Sequence, residues 1–261
     1  MSDKIFRRAL LTNDDGINAE GLFVLEQAAL EVADEVWVVA PEHDLSGASA
    51  SLTLQTPLRV RALGTRKFAI SGTPCDSVIM AMKHLMVDQP PDVVMSGINR
   101  GINLSDDVLF SGTTNAALTA TYIGVRAIAF SQAYHDIHNL PWRTPAVWVA
   151  RVLQRLMKSG WSEKVCINVN FPDVEPDQVQ GMEVVRQGRG SLLALEVDSR
   201  LDKRATPYFW FGFAMDRHSQ VKETDTDVSA VKRKAISLTP IKLDRTDYDA
   251  LEQMNLIDVV N

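Results

Sequence analysis

The chain has 261 residues, of which 46% are hydrophobic, and its 27 basic and 33 acidic side chains leave a formal charge of −6. That length allows one large domain or two small ones, and the apolar share is enough for a substantial core. The negative balance argues against sequence-independent binding to nucleic acid, which needs a basic face.

The opening stretch Met1–Arg8 has no apolar segment after its charges, so it does not read as a signal peptide. Ala9–Thr12 predicts a buried strand, and Ala19–Ala33 a helix with Leu22, Leu25, Ala29 and Val32 at helical spacing. Val36–Ala40 is a continuous apolar run ended by Pro41, which suits a parallel strand covered on both faces. Leu52–Thr56, Leu58–Leu63 and Lys67–Ser71 predict shorter strands, an antiparallel excursion. Pro74–Met86 predicts a helix, Asp92–Ser96 a strand, Gly112–Ile123 a helix and Arg126–Ser131 a strand. Thr144–Met157 then predicts a helix and Val165–Asn170 a strand. Repeated β-then-α order implies the α/β class: a Rossmann-like, mostly parallel sheet flanked by helices, since parallel strands need crossovers.

From Gly181 the pattern changes. Gly181–Gln187 and Tyr208–Ala214 read as strands on either side of a charged, loop-like stretch, Gly188–Thr206. Ala235–Thr239 reads as a strand, and Thr246–Ile257 as a terminal helix behind an Asp/Thr-rich cap. The basic triplet Lys232-Arg233-Lys234 suits a solvated helix or turn. No Gly/Ser/Pro-rich linker divides the chain. The expectation is one domain over residues 1–261, with a core at 1–180 and a C-terminal extension at 181–261. No uncharged run is long enough to span a bilayer. Cys75 and Cys166 are far apart and outside any Cys-x-x-Cys pair, which argues against a disulfide scaffold or a structural zinc site and for a cytoplasmic protein.

The chemistry concentrates at the ends of predicted strands. Asn13-Asp14-Asp15-Gly16 puts adjacent carboxylates between a strand and a helix, the edge at which open α/β sheets bind ligands. Like charges held this close call for an offsetting cation, so the stretch reads as half of a divalent-metal site. The same residues equally suit an Asx turn relaxed by Gly16. Ser46 and Asn99 follow two further strands and add a hydroxyl and an amide oxygen; each also suits an ordinary turn. An all-oxygen set favours magnesium, manganese or calcium over zinc. Ser111-Gly112-Thr113 opens a helix, where unpaired N–H groups and partial positive charge can hold a phosphate, although a simple serine cap explains it too. Ser71-Gly72-Thr73-Pro74 has the same grammar and reads as capping and tight packing. His135 and His138 lie in a polar stretch that reads as surface. His43 suits a proton donor or a solvated loop residue equally, and Asp106-Asp107 a loop on the approach to Ser111. Walker A, G-x-G-x-x-G and G-x-S-x-G patterns are absent from the sequence.

Together these segments resemble the SurE family of stationary-phase survival proteins, metal-dependent nucleotidases that hydrolyse nucleoside 5′- or 3′-monophosphates. The resemblance rests on Leu11–Gly16, Val39–Pro41, Leu45–Ser49, Ser51–Leu54, Gly72–Pro74, Ser96–Asn99 with Gly101 and Asn103, Asp106–Val108 and Ser111–Thr113. Thr226–Val231 and Ile236–Pro240 extend it into the C-terminal region. It implies Asp14, Asp15, Ser46 and Asn99 as ligands of one divalent cation per subunit, magnesium or manganese, with calcium able to stand in for them in a crystal. It implies a phosphate or substrate role for Asn13, Asn103, Ser111, Gly112 and Thr113. The attacking group is either water or a carboxylate, with Asp14 the first candidate. The resemblance also implies a homodimer or homotetramer that exchanges C-terminal elements and a nucleoside monophosphate substrate; the charge and the lack of a long apolar run argue against nucleic acid and membrane as partners. Thr119 stands where the family commonly has glutamate, Phe110 where it has tyrosine, and Ser105 where glycine is common; Gly188–Met215 shows little match. Thr119 motivates an alternative, a member of the same family that binds nucleotide or phosphate without turnover.

Overall fold

The computed structural model describes residues 4–189, 193–215 and 223–255. In chain order its elements begin with β1 (Phe6–Thr12), α1 (Glu20–Val32), β2 (Ala33–Pro41), β3 (Val60–Gly64), β4 (Lys67–Ile70) and α2 (Pro74–Met80). Then come β5 (Val93–Arg100), α3 (Gly112–Ile123), β6 (Arg126–Gln132), α4 (Arg143–Lys158), β7 (Cys166–Phe171) and β8 (Met182–Val184). The last are β9 (Leu193–Leu201), β10 (Pro207–Met215), α5 (Asp227–Lys232), β11 (Ile236–Ile241) and α6 (Tyr248–Asn255).

The sheet runs β3-β4-β2-β1-β5-β6-β7-β11-β8. From β4 to β7 every pairing is parallel, as the alternating order requires. The pairs β3–β4 and β7–β11 are antiparallel. Helices α1 and α4 cover one face, where Leu22, Leu25, Val149 and Leu153 join Leu11, Met95, Phe130 and Val169 in one buried cluster. Helices α2 and α3 cover the other, where the small side chains Ala116, Ala117 and Ala120 share a cluster with Leu10, Val94, Ala127 and Ala129. The sheet therefore reads as unbroken apolar runs rather than alternation. Because β1, β2 and β5 are parallel and in register, the loops that follow them leave from a single edge.

Several segments depart from the sequence reading. Leu52–Thr56 forms no strand: Thr53 donates its backbone N–H to the Asp76 carboxylate at 3.1 Å instead of to a ladder. The run read as Leu58–Leu63 pairs only from Val60. Pro74–Met86 is α2 followed by a π-helical turn, Ala81–Leu85. Thr73 caps α2 in a reciprocal box with Asp76, as the Ser-Gly-Thr-Pro grammar suggests. The loop-like stretch Gly188–Thr206 contains β9, which pairs antiparallel with β10 from Leu193↔Met215 to Leu201↔Pro207. Its charges are spaced between Leu195, Val197 and Leu201, a period-2 pattern masked by the polar composition. Helix α5 has no counterpart among the expected elements. The terminal helix is Tyr248–Asn255; positions 256 and 257 lie outside the described residues. The sheet crosses the expected division at residue 180, since β11 sits between β7 and β8. Among the described residues no helix is long and apolar enough to cross a membrane.

Phe130 is fully buried on the α1–α4 face and stacks on Phe171 with ring centroids 5.9 Å apart. Phe130→Ala is expected to cost about 3–5 kcal/mol in urea unfolding. A loss below about 1 kcal/mol would contradict the packing described here.

Candidate active site

The acidic turn after β1 divides its labour. Asn13 closes it: its Nδ2 donates to the Gly16 carbonyl at 2.9 Å and its Oδ1 accepts from the Gly16 N–H at 3.2 Å. Gly16 supplies the left-handed φ of 98° that this turn needs. The Asx turn is thus made by Asn13, and the carboxylates of Asp14 and Asp15 are left for other work. Asn13 is committed to this turn and does not line the cavity described below.

Asp14 is buried. The Thr113 hydroxyl donates to its Oδ1. A Cβ on Gly112 would sit 2.8 Å from both the Cβ and the Oδ2 of Asp14, so only glycine allows α3 to begin this close. Burial first, and the Asp15 charge second, push the Asp14 carboxyl from its ordinary 3.8 up to about 6, although hydrogen bonds from Thr113 act the other way. That rise corresponds to roughly 3 kcal/mol against the ionised form. Asp15 is also raised, mainly by burial; the N–H of Arg100, which reaches its Oδ2 at 3.1 Å, opposes this.

Two neighbouring loops close on this turn. After β2, the Leu45 N–H reaches the Asp14 carbonyl at 2.8 Å, and the Ser46 hydroxyl donates to Asp44 Oδ1 at 2.7 Å. In β5 the register with β6 slips between Ser96 and Asn99, which carries Asn99 to the sheet edge. The Asn99 Nδ2 donates to the Gly101 carbonyl at 3.0 Å, which fixes the amide and leaves Oδ1 as its remaining donor oxygen.

The helix-opening triplet also divides. Ser111 caps α3 by accepting the Thr114 N–H at 2.9 Å, while Thr113 is spent on Asp14. Asn103 is anchored in the sheet: its N–H meets Asn170 Oδ1 at 2.8 Å and its side chain donates to Ser131 Oγ at 2.8 Å.

Asp14, Ser46, Asn99, Asn103 and Ser111 line one cavity of about 1040 Å³. Asp15 borders it through Arg100, and Gly112 and Thr113 stand behind Asp14. Val228, Val231, Lys232 and Lys234 form another part of the wall. The sequence reading missed them, and the only available signal was the likeness of Thr226–Val231 to the family. Lys232 and Lys234 therefore face this cavity, not merely solvent. His135 bonds Asp173 through Nδ1 at 2.7 Å at the cavity rim, in keeping with a surface loop; His43 lines a separate, smaller recess.

Among the described residues no group of three or more His, Cys, Asp or Glu side chains is placed to hold a metal. Asp14, Ser46 and Asn99 on the cavity wall, with Asp15 beside them through the Arg100 N–H, make two carboxylates and two neutral oxygens, a set that suits a hard divalent cation and not zinc. The fit rests on Asp14: a buried carboxylate beside a second one, raised by both, gains from a cation within reach.

The family model described as "Survival protein SurE" matches residues 9–193. The chain is 47% identical to a 5′-nucleotidase SurE of Methylobacterium nodulans over 94% of this chain and 96% of that one. It is 46% identical to 5′-nucleotidase SurE 1 of Burkholderia lata, over 96% of each. A crystal structure of the SurE protein from Aquifex aeolicus superposes with a TM-score of 0.80 at 31% identity, covering 95% of this chain and 98% of that one.

The raised Asp14 carboxyl fixes a pH dependence. Its proton binds more tightly in the folded state, so its contribution favours folding below pH 3.8 and is lost as pH rises through about 6. A cation held by the ionised form would reverse that loss. The rise in Tm on adding manganese is expected to be small near pH 5 and to grow towards pH 7.5. Asp14→Asn is expected to raise metal-free stability near pH 7.5 by about 1–3 kcal/mol and to remove the manganese-dependent rise. A rise that persists in Asp14→Asn would contradict the site.

Proposed function

The chain belongs to the SurE family, and from that membership and the geometry of the sheet edge we infer that it is a 5′-nucleotidase, a hydrolase releasing phosphate from nucleoside monophosphates. The family implies dependence on a divalent metal. Magnesium or manganese is the ion proposed, one per subunit, held by Asp14, Asp15, Ser46 and Asn99. The observation that carries this reading is the buried Asp14 carboxylate, which opens onto the same cavity as Ser46, Asn99 and the Ser111 cap of α3.

A divalent cation, when bound, supplies Lewis-acid polarisation of a phosphoryl oxygen. The chain's own residues do the rest by position and charge, as phosphoryl transfer requires. Asp14 is the proposed catalytic residue, and Thr113 keeps its carboxylate in one orientation. Asn99 is held by Gly101 with its amide oxygen available, and Ser46 is held by Asp44. The first turn of α3, with the Gly112 N–H and the Ser111 cap, offers partial positive charge to a phosphate. Asn103 lines the cavity and is held there by Asn170 and Ser131.

A binding protein without turnover is not favoured: relatives at 46–47% identity carry nucleotidase names. Thr119, in place of the family glutamate, closes locally by donating to the Asn115 carbonyl at 2.8 Å. A homodimer or homotetramer is proposed from exposed apolar side chains on β10 and α6, among them Trp210, Phe211 and Met254. Two buried free thiols, Cys75 and Cys166, fit a cytoplasmic location.

Phosphate release from a panel of nucleoside monophosphates tests the assignment. The parent is expected to turn over only with magnesium or manganese and to stop when the ion is chelated. Asp14→Asn and Asn99→Ala are expected to lose at least about 10²-fold in kcat, the scale of removing a preorganised electrostatic partner. Full activity in both variants would overturn the site, and no release from any nucleotide would overturn the function.

A further inference from the structure

Asp227 lies in the C-terminal extension, 122 positions beyond Ser105, and is fully buried. Its Oδ2 accepts the Ser105 N–H at 2.9 Å. Its Oδ1 accepts the N–H groups of Gly188 at 2.9 Å and Val228 at 2.8 Å. Burial raises its carboxyl, and these backbone donors work against that rise. Ser105 is held at its other end as well, since Gln187 Nε2 donates to the Ser105 carbonyl at 2.8 Å. Ser105 is a non-glycine residue at φ 55°, a backbone state that surrounding contacts must sustain.

Ser105 opens the 3-10 turn Ser105–Phe110, which runs directly into Ser111 and α3. Just before it, the Asn103 carbonyl accepts from Asn168 Nδ2 at 2.7 Å and Asn170 Nδ2 at 3.0 Å. Leu104 packs on Val228, with Ile102 and Val231 alongside. The approach to the phosphate side is therefore gripped by β7 from one side and by the extension from the other.

We propose that Asp227 is a positioning residue for this loop: with Gln187 it holds the backbone of Ser105 and so sets where Ser111, at the start of α3, meets the substrate phosphate. The kinetic part of the inference rests on the nucleotidase reading. Residues beyond 181 are then part of the catalytic unit, because without them the loop has one anchor instead of two. Asp225, which pairs with Arg186 at 2.9 Å on the exposed side of the same segment, provides a control.

The test compares the parent with Asp227→Asn, Gln187→Ala and Asp225→Asn. Asparagine keeps the shape of Asp227 but turns a donor towards one of the N–H groups it must accept. Asp227→Asn is expected to lower kcat/KM about 10- to 100-fold, the scale of a loop displaced by about 1 Å. Its affinity for manganese alone, by calorimetry, is expected to stay within about threefold, below the change that follows disturbance beside a metal ligand. Gln187→Ala is expected to move the same way by less, and Asp225→Asn to match the parent. Hydrogen exchange of the 105–111 amides is expected to quicken in Asp227→Asn and Gln187→Ala while β1 and β5 stay protected. Parent turnover in the same assay reports on the nucleotidase reading by itself, whereas the exchange reports on the clamp without turnover. Unchanged exchange at 105–111 in both variants would overturn the proposal. So would a folded Asp227→Asn with parental kcat/KM, or manganese affinity falling as steeply as kcat/KM.

Discussion

A carboxylate buried at the end of a central strand governs this molecule. Asp14 sits where β1 meets the start of α3, next to a second carboxylate. Its environment disfavours the ionised form by roughly 3 kcal/mol, a substantial share of a domain's net stability. The surrounding sequence is arranged around that cost. Gly112 lets the helix approach, Thr113 supplies a donor, and Asn13 closes the turn so that the acidic side chains need not. Among the described residues no cationic side chain pairs with Asp14; the Arg100 guanidinium pairs with Asp44, at 3.9 Å. The remaining deficit is what a divalent ion would neutralise.

The parallel sheet makes this arrangement possible. Strands β1, β2 and β5 end at one edge, so the loops after β1 and β2 and the last residues of β5 bring oxygen atoms from positions 14, 46 and 99 to a single cavity. The core holds those ends rigid from both faces, with helices α1 and α4 on one side and α2 and α3 on the other. Asn103 is seated the same way, on hydrogen bonds with Ser131, Asn168 and Asn170 of adjacent strands. Function thus rests on loops, and their precision is borrowed from strands.

Much of this was legible in the sequence. The central strands stood out because buried parallel strands are uninterrupted apolar runs, and Asp14-Asp15 stood out because adjacent acids at a strand end are costly without a reason. Local pattern failed where a long-range partner decided the outcome. Leu52–Thr56 looks like a strand, but the Asp76 carboxylate captures Thr53. Gly188–Thr206 looks like a charged loop, but β9 finds β10. The family likeness groups Asn13 and Thr113 with the phosphate contacts, yet the structure turns one to Gly16 and the other to Asp14. Periodicity and composition do not place Val228, Val231, Lys232 and Lys234 on the cavity wall, because their link to the site spans more than a hundred positions; only the family likeness of Thr226–Val231 points to them.

Anomalous scattering from a crystal soaked in manganese tests the central claim most directly. The account predicts one peak per chain within about 2.0–2.6 Å of oxygens from residues 14, 15, 46 and 99. Density at some other place, with those four side chains unliganded, would contradict it.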